Sequence, residues 1–400
     1  MSTLAEQTAS ARREPPKVSP LNDPRVRGII SQVALLAFVL FLVWGAASNA
    51  YENLRAQNIA SGFGFLDNQA NFALSQALIP YAETDSYGRA FVAGLLNTLL
   101  VAAIGIVLAS ILGVLIGLAR LSSNLVVRTL ATWYVEVIRN LPLVLQLMFW
   151  YTAVLQPLPN PRDSISLFGG EVFLNNRGVT LPKPLFHEGA IWIAGAVLLA
   201  LAIGFALSRW SKARQMATGQ TFPAGLATLG LLVALPVAAF YALGQPISLE
   251  HPQLGRFNLT GGLRIIPEFI ALLLGLVFYT AGFIAEIVRA GIQAVHRGQS
   301  EAAAAVGLRP GLTTRLVVMP QALRVIIPPL TSQFLNLTKN STLAVAIGYP
   351  DLFLVAGTIN NQTGQAIEVI AMIMLTYLTL SLATSGFMNW YNQRVALVER

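Results

Sequence analysis

The 400-residue sequence has no cysteine, which excludes disulfide bonds, thiolate metal sites and cysteine nucleophiles. Charge is also scarce: charged residues make up 11% of the chain, whereas soluble globular proteins have about 25%. Hydrophobic residues make up 55%. This combination excludes an ordinary soluble protein and favours a chain that lies in a lipid bilayer.

The residue patterns of common enzyme sites are missing as well. The three histidines, His187, His251 and His296, have no carboxylate or second histidine at metal-ligand spacing. No Gly-x-Ser-x-Gly motif occurs, and none of the four lysines follows a glycine, as an ATP-binding phosphate loop requires. We therefore expect no catalytic residues, no metal and no cofactor, and any ATP must be bound by another subunit.

Apolar runs of about 20 residues, enough to cross a hydrocarbon core about 30 Å thick, organise the chain. We count eight such runs, at residues 29–50, 90–119, 129–155, 189–208, 222–243, 265–290, 325–348 and 369–393. The polar, proline-containing residues 1–28 are typical of a disordered tail, and the run after them is too long for a cleaved signal.

Basic residues predict the topology. With the N-terminus inside, sixteen of the 26 Lys and Arg residues lie on inner segments and seven on outer ones. This bias predicts a multi-pass membrane protein with both termini in the cytoplasm. The net charge of +8 is therefore a signal of membrane topology, and we expect no nucleic acid as a partner.

The topology divides the chain into five parts. Residues 1–28 form a cytoplasmic tail, 29–50 a first transmembrane helix and 51–89 a periplasmic segment. Residues 90–392 form the transmembrane domain, and 393–400 a cytoplasmic C-terminus. Within that domain, residues 156–264 hold two of the spans and two loops.

The cytoplasmic stretch 290–320 holds the clearest local signals. A short helix is predicted over 299–306, with Glu301 in its first turn, where a carboxylate suits the positive helix end. Gly307 fits the left-handed position that follows a helix, and Pro310 prevents continuation. The small, apolar face of this helix either rests on its own bundle or docks into a groove on a partner.

This stretch closely resembles the EAA loop of ATP-binding-cassette importer permeases. The resemblance rests on Glu301-Ala302-Ala303, Gly307 and Met319-Pro320, with Val317 and Met319 where the family usually has Ile and Leu. Residues 94–98, 134–143 and 279–289 are similar to the polar amino-acid uptake branch. Relative to the usual small permeases of this branch, residues 156–264 are an insertion that carries two extra spans. This enlarged layout resembles the general L-amino-acid and glutamate/glutamine/aspartate/asparagine permeases.

The resemblance implies an all-α, polytopic bundle with a type I importer-permease core. It also implies that the chain lies in the bacterial inner membrane, as part of an ATP-driven, binding-protein-dependent amino-acid importer. Residues 298–320 then couple the permease to a separate ATPase, through Gln299, Glu301, Ala302, Ala303, Gly307 and Pro320. The implied partners are a dimeric cytoplasmic ATP-binding subunit, a second, related but different permease chain and a periplasmic amino-acid-binding protein.

Two other functional classes stay open. An ion-coupled secondary amino-acid transporter predicts inverted repeats and paired broken helices, with no docking loop. A non-transporting scaffold has no need of a lysine with polar neighbours inside a span.

Charged residues within spans are functional candidates by default. Glu136 and Arg139, and likewise Glu286 and Arg289, are three residues apart on one helix face, which favours structural or gating pairs at the cytoplasmic mouth over substrate contacts. Lys339 lies in a span interrupted by prolines, where it either lines the pathway or has only a structural role, snorkelling to the membrane surface or pairing with a carboxylate. The other pathway candidates are Asn97, Thr98, Gln146, Tyr279, Thr280, Asn336 and Thr376, although many polar residues in spans only join helices.

Overall fold

The computed structural model describes residues 24–56, 62–255 and 258–395, so the predicted tail and C-terminus lie largely outside the described residues. Two compact units are present. The smaller contains helix α1 (Pro24–Ala56), which is long enough to cross a bilayer, and residues 363–368. Within this unit the Glu368 carboxylate accepts a hydrogen bond from the Gly62 amide at 2.8 Å.

The larger unit contains most of the chain. Its first helices are α2 (Tyr87–Ala119), α3 (Leu125–Asn140) and α4 (Leu143–Met148), the last continuing as a π-helical turn (Phe149–Leu155). Next come strands β1 (Ile165–Leu167), β2 (Val172–Asn175), β3 (Gly178–Leu181) and β4 (Lys183–Phe186), then helices α5 (Ala190–Thr218) and α6 (Ala224–Ala242). Strands β5 (Ile247–Glu250), β6 (Gln253–Leu254), β7 (Leu259–Thr260) and β8 (Leu263–Ile265) follow.

The remaining helices complete the fold. They are α7 (Pro267–Gln293), α8 (Arg297–Ala305), α9 (Pro310–Thr313), α10 (Met319–Asn340), α11 (Leu352–Thr363) and α12 (Ala366–Val395). Among the described residues, six helices are long and apolar enough to span a membrane, and two bent helix pairs raise the number to eight. The predicted helical, polytopic fold is confirmed.

Helices α2, α7 and α10 form the centre of the larger unit, and α2 crosses α7 closely. A Cβ atom at Gly113 of α2 would lie 2.6 Å from the Ile284 Cβ atom, and one at Gly117 would lie 2.9 Å from the Ala285 carbonyl oxygen. Glycines at these two positions let the backbones approach, as is common between helices in membranes. The resulting core is apolar and contains buried Leu276.

Both predicted irregular spans differ from a straight helix. The run 129–155 is divided between α3 and α4, which meet at an angle of 108°. The run 325–348 was expected to break at Pro328 and Pro329, and this expectation is wrong: α10 continues through both prolines and the chain bends by 54° only before α11. Proline removes backbone donors, but its fixed φ is compatible with a helix.

The inserted segment contains the antiparallel helices α5 and α6 together with strands that the sequence analysis did not predict. One sheet has the order β1-β2-β3-β8, and β4 pairs with β5, all antiparallel. Strand β8 leads directly into α7. Because α7 has 27 residues, the sheet and helix α8 lie about 40 Å apart, at opposite ends of α7.

Gly178 fixes the sheet to the start of α7. Its φ is +107°, and a Cβ atom there would lie 1.9 Å from the Ile265 carbonyl oxygen. Only glycine permits both this backbone conformation and this approach. The β2–β3 hairpin is therefore held against the strand that becomes α7.

Candidate functional site

Helix α8 has defined ends. His296 caps its N-terminus, with the Nδ1 atom accepting from the Gly298 amide at 3.1 Å, which explains why the helix begins before the predicted residue 299. At the other end Gly307 has a φ of +80°, as the sequence predicts. The Gly307 amide donates to Ala304 O at 2.9 Å and the Leu308 amide to Ala303 O at 3.0 Å, which is a Schellman motif.

The loop exposes most of its surface. Ala303 is buried against the same chain, whereas Glu301, Ala302 and Gly307 are exposed and Val306 retains 77% of its surface. Gln299 is exposed too, and its side-chain oxygen accepts from Gln321 at 3.2 Å, which joins α8 to the start of α10 near half-buried Pro320. Ala303 and Gln299 thus attach the helix to its own bundle, and most of its other residues are exposed.

An ionic cluster lies where α2 and α7 end near the loop. Glu286 Oε1 contacts Arg289 Nη2 at 2.5 Å, so the predicted Glu286–Arg289 pair is present. Glu286 Oε2 also pairs with Arg120, at the end of α2, and Arg289 donates to Gln293 at 2.6 Å. The sequence analysis missed Arg120, although its position directly after a charge-free span placed it on the same membrane face as Glu286.

The other predicted pair is not formed. Within the described part of the chain, no ion pair joins Glu136 and Arg139, and the Arg139 guanidinium lies 5.0 Å from the centroid of the Phe283 ring. Both side chains are exposed. They line a pocket of about 440 Å³ together with Arg120, Phe283 and Glu286, so the two charge groups share one cavity.

Three of the predicted pathway residues lie together. Tyr279 and Thr280 of α7 and Asn336 of α10 line a pocket of about 220 Å³. Gln333 and Asn340, which the sequence analysis did not select, complete the polar lining, and their spacing places them with Asn336 on one face of α10. Phe283 borders this pocket and the larger charged one.

Asn97 and Thr98 have a structural position that differs from the predicted pathway lining. Both are fully buried. The Asn97 amide donates to Gln76 O and Pro350 O, each at 2.9 Å, and the Thr98 hydroxyl accepts from the Leu352 amide at 3.0 Å. These bonds hold the segment before α11 against α2.

Gln146 also stabilises the fold, because it supports the bend between α3 and α4. Pro142 has no N–H to pair with Ile138 O, and the Gln146 side-chain amide donates to that oxygen at 3.0 Å and to Leu141 O at 3.1 Å. The buried amide thus replaces a missing backbone donor.

The last two pathway candidates do not line the pocket of α7 and α10. The Thr376 hydroxyl donates to Met372 O within α12 at 2.7 Å. Lys339 is exposed in the last turn of α10, and no ion pair of its ammonium is present among residues that the structure describes. Within the same limits, no three His, Asp or Glu side chains are placed to share a metal ion.

Comparison with known proteins identifies the chain's family. The family described as "Binding-protein-dependent transport system inner membrane component" matches residues 105–397. The chain belongs to this family. As a member of it, the protein is a multi-pass component of an inner membrane, in agreement with its apolar helices.

Relatives of this inner-membrane component share its enlarged layout. The general L-amino acid transport system permease protein AapQ of Rhizobium johnstonii is 51% identical over 96% of this chain and 95% of its own length. The putative amino-acid ABC transporter permease protein YhdX of Escherichia coli is 50% identical over 94% of this chain and 96% of its own. The glutamate/glutamine/aspartate/asparagine permease BztB of Rhodobacter capsulatus is 45% identical over the same two shares.

Shorter permeases match only part of this chain. The probable glutamine permease GlnM of Bacillus subtilis is 38% identical over 34% of this chain and 62% of its own length. The expected resemblance to the amino-acid branch, and to its enlarged members, is therefore confirmed.

Proposed function

We propose that this family member is the permease subunit of an ATP-driven, binding-protein-dependent amino-acid importer. The amino-acid substrate is inferred from the three relatives that align with nearly the whole chain, all of which are named as amino-acid permeases. The observation that carries the coupling mechanism is helix α8, a capped helix of nine residues. The helix exposes small side chains to solvent, and Val306, directly after it, is exposed too. A helix this short is not stable alone and suits docking into a partner.

The docking partner in this proposal is a cytoplasmic ATPase, present as a dimer. The chain has no phosphate loop of its own, so ATP hydrolysis belongs to that subunit. Gln299, Glu301, Ala302 and Gly307 lie on the exposed surface of residues 298–320, while Ala303 and Pro320 fix the loop to the bundle. ATP-driven closure of the dimer then moves α7 and α10 through this loop.

The same proposal places α8 in the cytoplasm and the β-strands in the periplasm. Two observations support this orientation: the sixteen-to-seven bias of basic residues, and the position of the two regions at opposite ends of α7. Both termini are then cytoplasmic. The boundaries at residues 28, 50, 89 and 392, with the insertion at 156–264, are those of the sequence analysis.

The pathway is proposed to follow the polar face of α7 and α10. Exposed Asn336 and Lys339 are costly against lipid, and we propose that a second permease chain, related but different, covers this face. Tyr279, Thr280 and Asn336 then line the route, with Phe283 between the two pockets. The Glu286 cluster, with Glu136 and Arg139 in the same cavity, forms the gate at its cytoplasmic end.

The absence of native cysteine allows a direct test of docking. A single cysteine replacing Val306 is expected to cross-link to the ATPase subunit, whereas one replacing 91%-exposed Met216, at the same membrane face but outside the loop, is not. Equal cross-linking of the two positions contradicts docking through α8.

Single-cysteine variants also test the orientation. In intact spheroplasts, a membrane-impermeant maleimide should label a cysteine replacing 82%-exposed Phe168 in the insertion and leave one replacing Val306 unlabelled. The opposite pattern overturns the topology.

A further inference from the structure

A third polar cavity, of about 650 Å³, lies at the end of α7 that is distant from α8. Its walls come from the π-helical turn after α4, the β2–β3 hairpin, strand β8 and the first turn of α7. The side chains that matter are those of Tyr151, Asn176, Arg177, Arg264 and Glu268. None of these residues belongs to the proposed pathway or to the coupling loop.

The cavity is lined by charged side chains of both signs that form no ion pair with one another. Among the described residues, neither Arg177 nor Arg264 has an ion pair or a side-chain hydrogen bond, and both are exposed. Glu268 is half-buried, and its Oε1 atom accepts from the Tyr151 hydroxyl at 2.9 Å. Two guanidinium groups and one oriented carboxylate therefore face a space that is large enough for a small ligand.

The backbone positions of the two arginines are fixed. Arg264 lies opposite Thr180 in the β3–β8 ladder. Arg177 occupies the hairpin tip, where its amide donates to the Asn175 side chain at 2.8 Å and the Asn176 amide donates to Pro159 O at 2.9 Å. Gly178, next to the tip, is the residue packed against Ile265. A site built this way does not have to be ordered by its ligand.

We propose that this cavity is a reception site for acidic α-amino acids that the binding protein releases at the periplasmic face. Guanidinium groups match carboxylates by charge and by bidentate geometry, so Arg177 and Arg264 bind the two carboxylates of the ligand. Glu268, oriented by Tyr151, binds its ammonium group. The site thus receives substrate at the outer end of α7 before it enters the membrane; this role rests on the proposed import of amino acids.

The test measures binding to the complete transporter in lipid nanodiscs, without the binding protein, by calorimetry with glutamate. Arg177→Gln and Arg264→Gln are each expected to weaken glutamate binding about tenfold, corresponding to the loss of about 1.4 kcal/mol for one charge-assisted contact. Arg162→Gln is the matched control, because Arg162 is an exposed arginine of the same insertion that does not line the cavity. The melting temperature of each variant verifies folding.

A second ligand isolates the role of Glu268. Glutarate has both carboxylates of glutamate and no ammonium group, so Glu268→Gln should weaken glutamate binding about tenfold without weakening glutarate binding. Equal losses for both ligands contradict the assignment of Glu268 to the ammonium group.

Two further results overturn the reception site. One is unchanged glutamate binding in Arg177→Gln and Arg264→Gln. The other is a loss confined to the affinity for the binding protein, which makes the cavity a docking surface for carboxylates of that protein. If the complete system imports amino acids but the nanodiscs bind no glutamate, the reception site fails and the proposed function stands. If the system imports no amino acid, the proposed function itself fails.

Discussion

Replacing Gly307 by alanine isolates the contribution of one backbone conformation to coupling. Gly307 has a φ of +80°, and no atom lies within 4 Å of the position that a Cβ atom would take. The substitution therefore creates no clash and changes only the energy of the left-handed conformation. Gly311, also without neighbours within 4 Å, lies in α9 with an ordinary negative φ, and Gly311→Ala is the matched control.

The left-handed conformation costs an alanine about 1–2 kcal/mol. If the ATPase subunit binds the loop only with the Schellman end intact, this penalty lowers the association constant by about 5- to 30-fold at 25 °C. Gly311→Ala adds a good helix former to a helical position and should not weaken association.

The assay measures the affinity of the purified ATPase subunit for nanodiscs that contain each variant, together with ATP-dependent uptake. The expected order is wild type equal to Gly311→Ala, with Gly307→Ala weaker by the stated factor. Wild-type affinity and uptake in Gly307→Ala would refute the argument that the motif shapes the docking surface.

Three further predictions concern stability and the outer sheet. Gln146→Leu removes the donor that supports the α3–α4 bend and should lower the free energy of unfolding by about 2 kcal/mol, seen as a lower melting temperature. Glu286→Gln leaves Arg120, 12% exposed, without its partner, which should cost about 3 kcal/mol in the same assay; a melting temperature equal to the wild type contradicts the ionic cluster. Gly178→Ala places a methyl group 1.9 Å from Ile265 O, so β3 and β8 should separate and their amides should exchange hydrogen faster. Unchanged exchange would show that the two strands are not pinned at this glycine.

Local rules predicted some features correctly. The helix end at Gly307 follows from glycine, its neighbours and Pro310, all within a few residues, and the structure has the expected left-handed conformation there. Apolar length alone predicts the six long helices among the described residues, and the predicted number of eight spans is reached if each of the two bent helix pairs is one span.

Features that depend on distant contacts were missed or misassigned. Arg120 joins Glu286 across 166 positions of sequence, and spacing along a helix gives no sign of such a pair. Asn97 resembles a pathway residue by sequence, yet its amide binds Pro350, 253 positions away. The strands of the insertion have only two to four residues each, too few for an alternating pattern to stand out.

Reconstitution in proteoliposomes tests the central claim most directly. The complete transporter, containing this chain, the second permease and the ATPase, is supplied with the binding protein and a radiolabelled amino acid. The account predicts accumulation that requires both ATP and the binding protein and that Gly307→Ala reduces. Accumulation driven by a sodium or proton gradient without ATP would contradict it and would favour a secondary transporter.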